Sequence, residues 1–154
     1  MTRFCSLALA LALLTFPFNG EGQITDKGLK VEVASLNPLI LHFTLKSGAD
    51  KPVEIFRSQV PWATRYSVVL AVVKVNGECL EKVLAIEDPP VGKISVKPGQ
   101  VLIGDINLEG IFKNLDEARK KADVHLFWAY QAPDQLRIGG WSGGWILIPQ
   151  NRKP

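Results

Sequence analysis

Two histidines and one cysteine are the residues best suited to catalysis or metal binding in the body of this chain. His42 and His125 each alternate with apolar residues, which places both on the polar, solvated faces of predicted strands. They are about 80 residues apart, and neither belongs to a pair with metal-ligand spacing. Cys79 has no activating base identified near it in the sequence, so we expect a half-buried strand cysteine, with an intermolecular disulfide as the alternative. No catalytic residue, metal ligand or cofactor is predicted.

The familiar catalytic motifs are not found in a setting that supports catalysis. Residues 140–144 read Gly-x-Ser-x-Gly, but they lack the strand-to-helix turn that a serine nucleophile needs, and GGWSGG, at residues 139–144, lacks the lysine and helix start of a phosphate loop. We expect it to be a glycine-rich loop. The aspartates at 88, 105 and 134 are isolated and do not have calcium-loop spacing. An enzyme is therefore the least favoured class.

Aromatic and arginine side chains are concentrated in two predicted connections. These are the residue types in which interfaces concentrate their binding energy. The candidate binding residues are Trp62, Arg65, Tyr66, Arg137, Trp141 and Trp145. The alternative is that these aromatic rings close the open ends of a sandwich.

The elements that must position these residues are short strands separated by turn signals. LKVEV and LILHFTLK alternate apolar and polar residues, as a half-buried strand does. Residues 65–75, which are apolar on both faces from Val68 to Val73, predict a central strand that is covered on both sides. Asn76-Gly77 predicts a hairpin turn, followed by a return strand over residues 78–86.

The rest of the chain continues this pattern. Pro98-Gly99 separates two strands, and DVHLFWAY and WILIP predict two more, with Trp128 facing inward. Asn114 and Glu117 predict the capped start of one short helix. We therefore expect an all-β fold, a single antiparallel immunoglobulin-like β-sandwich with one short helix.

The amino terminus has the pattern of a secretory signal peptide. Arg3 precedes an apolar run over residues 4–18, and Gly20 and Gly22 fit a cleavage site. We expect a signal peptide at residues 1–22 and a β-sandwich domain at residues 23–154. Cleavage removes Cys5 and excludes an internal disulfide. The mature protein is predicted to be periplasmic or secreted, with membrane contact only through an uncleaved signal segment.

The charge of the chain does not favour nucleic acid as a partner. The net charge is +3, and the basic residues are scattered apart from short runs at 119–121 and 152–153. Proteins that bind nucleic acid usually gather positive charge on one face. We therefore expect no nucleic acid partner.

Residues 41–108 carry a resemblance to known proteins. FTLKSGADKPVEI and ISVKPGQVLIGDINL resemble turn patterns of exported bacterial immunoglobulin-like domains of uncharacterised function. Similar patterns occur in the intracellular proteinase inhibitors of bacilli and in the amino-terminal domains of some metalloendopeptidases. The Gly-Trp-x-x-Ile-Pro ending is similar to that of small exported proteobacterial proteins. The resemblance implies the sandwich fold, and the signal peptide distinguishes this chain from the intracellular inhibitors.

Three functions are consistent with these observations. The first is an exported, non-enzymatic module that binds a protein or peptide through the two aromatic connections. The second is a proteinase inhibitor that presents an extended loop. The third is an enzyme, which requires His42, His125 or Cys79 to lie close to carboxylates.

Overall fold

The computed structural model describes residues 28–36 and 39–151. The predicted signal peptide and its cleavage site lie outside these residues. In the described part of the chain, no helix has the length and apolar character needed to cross a membrane.

Eight strands and one helix make up the regular structure of the described residues. The strands are β1 (Leu29–Leu36), β2 (Leu39–Lys46), β3 (Val53–Phe56), β4 (Val69–Lys74), β5 (Lys93–Val96), β6 (Val101–Asn107), β7 (Val124–Gln131) and β8 (Trp141–Ile148). The helix, α1, is Leu115–Lys121, and short 3₁₀ turns occupy Arg57–Gln59 and Asp134–Leu136.

These strands form three antiparallel sheets, ordered β1-β2-β6, β3-β5 and β4-β7-β8. The first and third orders match the A-B-E and C-F-G orders of an immunoglobulin-type sandwich. The prediction of an all-β sandwich with one short helix is confirmed.

Alternating apolar residues build the inner face of the first sheet. Leu29 and Val31 of β1 are buried, and so are the four alternate residues of β2, Leu39, Leu41, Phe43 and Leu45. Val31 pairs directly with Phe43 in the β1–β2 register. Because a strand directs successive side chains to opposite faces, His42 points outward between two core residues, as predicted.

The third sheet supplies the other half of the core. Leu126, Trp128 and Tyr130 of β7 are buried, which confirms the inward face predicted for this strand. Leu70 of β4 pairs with Trp128 across the sheet. The two inner faces therefore meet in one apolar core.

Strand β4 differs from its prediction. It begins at Val69, and in the described residues it is the outer strand of its sheet. Only one of its faces is covered, because Val69 on the other face is 58% exposed. The prediction of a central strand covered on both sides is wrong, since no further layer of the described structure packs against this apolar outer face.

The predicted return strand after β4 is also wrong. The hairpin turn itself forms, with Gly77 at a φ of 84°, and the Lys74 N–H donates to the Glu78 carbonyl at 2.9 Å. A single bridge, Val73 to Cys79, continues the pairing, and the chain then leaves the sheet. Cys79 is exposed rather than half-buried, because it lies on this short arm outside the core.

Two further predictions are corrected. The second part of the glycine-rich segment is a strand and not a loop, because β8 begins at Trp141 and runs through Gly143 and Gly144. Gly144 lies opposite Trp128 in the β7–β8 register. The helix start is not a capping box, because Asn114 has a left-handed φ of 59° and makes no side-chain cap hydrogen bond.

Candidate functional site

Trp62 packs toward the core of the sandwich. Its indole lies over Gly104 on the inner side of β6, so closely that a Cβ at Gly104 would overlap the middle of the ring. Trp62 is partly buried and contacts the apolar cluster of the core. Of the two interpretations of the aromatic connections, closure of the core describes the position of Trp62.

Arg65 and Tyr66 hydrogen-bond to Glu87 and Ala85, which lie about 20 positions further along the chain. The Tyr66 hydroxyl lies 2.7 Å from both the amide nitrogen and the carbonyl oxygen of Ala85, so it accepts one hydrogen bond and donates another. The Glu87 carboxylate accepts from the Arg65 backbone N–H at 2.9 Å and also pairs with the Arg65 guanidinium. The two residues thus hold the chain between Val83 and Glu87 against residues 65–66.

Lys82 lies beside this attachment. Its ammonium group donates to the Arg65 carbonyl at 3.1 Å and stands 5.0 Å from the centre of the Tyr66 ring. Burial, together with the positive charge of Arg65, lowers the pKa of Lys82 below its usual value. The Arg65 backbone N–H, assisted by its guanidinium, lowers the pKa of Glu87. The cluster therefore favours an ionised Glu87.

The chain held in this way exposes apolar side chains to solvent. Leu84 is 89% exposed, Ile86 101% and Val91 89%. Residues 83–91, the apolar segment, belong to no strand. The segment is fixed at both ends, since the Val83 N–H donates to the Ile111 carbonyl at 2.8 Å and the Arg57 N–H donates to the Gly92 carbonyl at 3.0 Å.

Trp141 and Trp145 lie on a different part of the molecule. Both occupy outward positions of β8, where Trp145 pairs with Phe127 and Trp141 with Gln131. Trp141 is 59% exposed and Phe127 44% exposed. His125 is on the same side, with its ring centre 5.5 Å from that of Trp145. Trp62 points toward the core, so it does not share this surface.

We name the outward side of β4-β7-β8 the aromatic face. Its large apolar members are Val69, Val73, Phe127, Trp141, Trp145 and Leu147. The outward positions of these three strands carry no aspartate, glutamate, lysine or arginine. Interface centres have this composition, with aromatic residues enriched and charged residues depleted.

Arg137 is separate from both surfaces. It has a left-handed φ of 51° after the second 3₁₀ turn, and its guanidinium pairs with Asp50 at 2.8 Å. Both side chains of this pair are largely exposed, and such a surface pair contributes little to stability. The six predicted binding residues therefore do not form one site. Arg65 and Tyr66 belong to one cluster, Trp141 and Trp145 share the aromatic face, and Trp62 and Arg137 lie elsewhere.

The two histidines lie on different sheets. His42 Nδ1 is 2.6 Å from the Asp105 carboxylate across the β2–β6 pair, whereas His125 is on the aromatic face. Among the described residues, no serine, threonine or cysteine side chain hydrogen-bonds to the His42 ring. That same part of the chain contains no group of three histidine, cysteine or acidic residues able to hold a metal ion.

A groove of about 390 Å³ lies between α1 and the Asn76-Gly77 hairpin. Its lining includes Lys74 and Glu117, and none of the six predicted binding residues takes part. Lys74 pairs with Glu78, and Glu117 pairs with Lys120. The two side chains are therefore already engaged with neighbours of opposite charge.

No protein-family model matches this chain, and no curated protein matches it.

Several surface residues were missed by reasoning from the sequence. Leu84 and Ile86 were included in the predicted return strand, and Phe127 was not considered for binding. One signal was available for the apolar segment, because Asp88-Pro89-Pro90, within it, interrupts strand pairing. The signal for the aromatic face was the double-sided apolar pattern of β4.

Proposed function

We propose that this chain is an exported, non-enzymatic module that binds a protein through the aromatic face. The observation that carries the proposal is the side chain composition of that face. Val69, Phe127 and Trp141 are between 44% and 59% exposed, and no formally charged residue interrupts them. Covering this face with an apolar partner surface would stabilise the complex by about 25 cal/mol for each Å² of apolar area removed from water.

The composition of the face favours a protein over a small ligand. Its side chains stand in register on three neighbouring strands, with Ala71, Phe127 and Trp145 in one row. A small-molecule site fixes its ligand with a few convergent polar groups. This row is apolar throughout, as the centre of a protein interface is.

The test is a binding comparison between two matched variants. Phe127→Glu places a charge in the centre of the aromatic face, and Ile103→Glu places one on the outer face of the first sheet, where Ile103 is also exposed. Partners are captured from the native cell envelope by crosslinking, and the affinity of each is then measured by calorimetry. We expect Phe127→Glu to weaken binding by about 30-fold or more, as for an interface hot spot, and Ile103→Glu to leave it unchanged. Equal affinities for both variants would overturn the proposal.

Export has a separate test. We expect the protein in the periplasm or the medium, with an intact mass that corresponds to a start near residue 23. Detection of only the full-length mass in the cytoplasm would contradict the proposed location without affecting the binding test.

A further inference from the structure

The aromatic face has the dimensions of one short helix. Along β8 it extends from Trp141 to Leu147, which is about 20 Å at about 3.4 Å per residue. Across the sheet, its three strands span about 10 Å, and a helix with its side chains is about 10–12 Å wide. The outward positions of these strands carry no formal charge. A segment that covers the face should therefore be apolar, uncharged and about 20 Å long.

The amino-terminal part of this chain contains such a segment. The apolar run, residues 4–18, reads FCSLALALALLTFPF and has no charged residue. Residues 4–16, which precede Pro17, would form a helix of about 20 Å at 1.5 Å per residue. The length and the composition of the run thus both match the aromatic face.

The described chain also begins close to this face. The Gly28 carbonyl accepts a hydrogen bond from the Lys46 N–H at 2.7 Å, and a Cβ at Gly28 would lie 3.3 Å from the Ile138 side chain. Ile138 shortly precedes Trp141, at which β8 and the aromatic face begin. Residues 19–27 connect the run to Gly28 and reach about 30 Å when extended. This connection is long enough to bring the run over the face.

We propose that the apolar run covers the aromatic face in the folded precursor, and that removal of the predicted signal peptide exposes it. The inference rests on the proposed function, in which the same face binds a partner protein. A segment of the same chain has an effective concentration in the millimolar range when its connection is short and flexible. A partner must displace it, so binding is confined to the cleaved protein.

Two cysteines report on this arrangement. Cys79 forms a bridge with Val73, and residues paired in this way direct their side chains to the same side of a sheet. Cys79 therefore borders the aromatic face, in the row of Val73 and Leu147. This row is at the far end of the face from Trp141, where the run arrives. Cys5 is near the far end of the run, so the proposal places Cys5 within reach of Cys79.

The experiment uses the full-length precursor, made by cell-free synthesis without membranes so that the predicted signal peptide is retained. The precursor is treated at nanomolar concentration with bismaleimidoethane, and each maleimide adds one thiol across its carbon–carbon double bond without a leaving group. Intact mass and peptide mapping identify the Cys5–Cys79 product. We expect Phe127→Glu to slow its formation by about 10-fold or more, because the charge opposes an apolar contact. Ile103→Glu, at an exposed position of the other sheet, should react as the wild type does.

A second variant tests the run without altering the β-sandwich. Leu11→Asp places a charge in the middle of the run, and it should slow the product by a similar factor. The connection alone is controlled by Cys79→Ser combined with Ile103→Cys, which moves the thiol to the outer face of the first sheet. This variant should react about 10-fold more slowly than the wild type, since only the flexible connection then brings the thiols together.

Equal rates in the wild type, Phe127→Glu and Leu11→Asp would overturn the proposal. So would cross-linked dimers as the main product, because they would show that a second copy covers the face. No partner protein takes part in this experiment, whereas the proposed function is tested on the captured partner. The failure of one is therefore distinguishable from the failure of the other.

Discussion

The close contact between the Trp62 indole and Gly104 predicts that a larger residue at position 104 destabilises the protein. A methyl group at Gly104 would overlap the indole at Cγ, the ring atom nearest the Trp62 backbone, so a small rotation of the ring does not relieve the clash. Overpacking of this kind costs about 1–3 kcal/mol. In the absence of the indole, alanine in a strand is favoured over glycine by roughly 0.5–1 kcal/mol.

The effect of Gly104→Ala on the free energy of unfolding is thus expected to change sign when the indole is removed, and a double-mutant cycle tests this. Gly104→Ala should lower the free energy of unfolding in the wild type, and should leave it equal or higher in a Trp62→Ala background. The coupling between the two sites is then about 2 kcal/mol, well above the few tenths expected of independent sites. Urea unfolding, followed by far-UV circular dichroism, measures all four proteins. If Gly104→Ala costs the same with and without Trp62, the indole does not lie over β6 and the reasoning is refuted.

Three further predictions concern other parts of the molecule. Tyr130→Phe should lower the free energy of unfolding by about 1 kcal/mol, because it leaves the Gln59 carbonyl without the buried donor that lies 2.6 Å away; an unchanged urea midpoint would contradict this. An NMR titration should place the pKa of Glu87 below the ordinary value of about 4.3. The folded state then favours the ionised carboxylate, so this contribution to stability is complete above the ordinary pKa and is lost as the pH falls through the lowered one. Arg65→Gln should reverse only part of the shift, because the backbone N–H remains, and complete reversal would argue against that bond as the main cause. Cys79 should be alkylated in the native protein as fast as in urea, with the label located by mass spectrometry; protection until unfolding would show a buried thiol.

Periodicity in the sequence was sufficient for the inner faces of the sandwich. Every second residue of β2 and β7 is a large apolar residue, and these residues, Phe43 and Trp128 among them, form the buried side of each strand as predicted. The Asn76-Gly77 turn was likewise predictable, because its residues tolerate the backbone angles of a hairpin. Local rules of this kind need no knowledge of what packs against the strand.

The surfaces were harder to predict, because the same pattern has two physical outcomes. A strand that is apolar on both sides, such as β4, is covered by a further layer in one protein and exposed for a partner in another. The run Val83 to Ile86 has the composition of a strand, but extended backbone becomes a strand only when a neighbour pairs with it. Trp62 has the composition of an interface residue, and the space that receives it is created by Gly104, more than 40 positions away.

The pairing of β2 with β6 also determines how this chain must fold. His42 and Asp105, neighbours across that pair, are separated by 63 positions, and β4 pairs with β7 over a comparable separation. The β1–β2 and β7–β8 ladders are local and are expected within microseconds. The long-range pairings must first close large loops, so all-β proteins of this kind reach the native state in milliseconds to seconds. If the chain is exported as we propose, that delay leaves time for it to pass through a membrane pore before its sheets close.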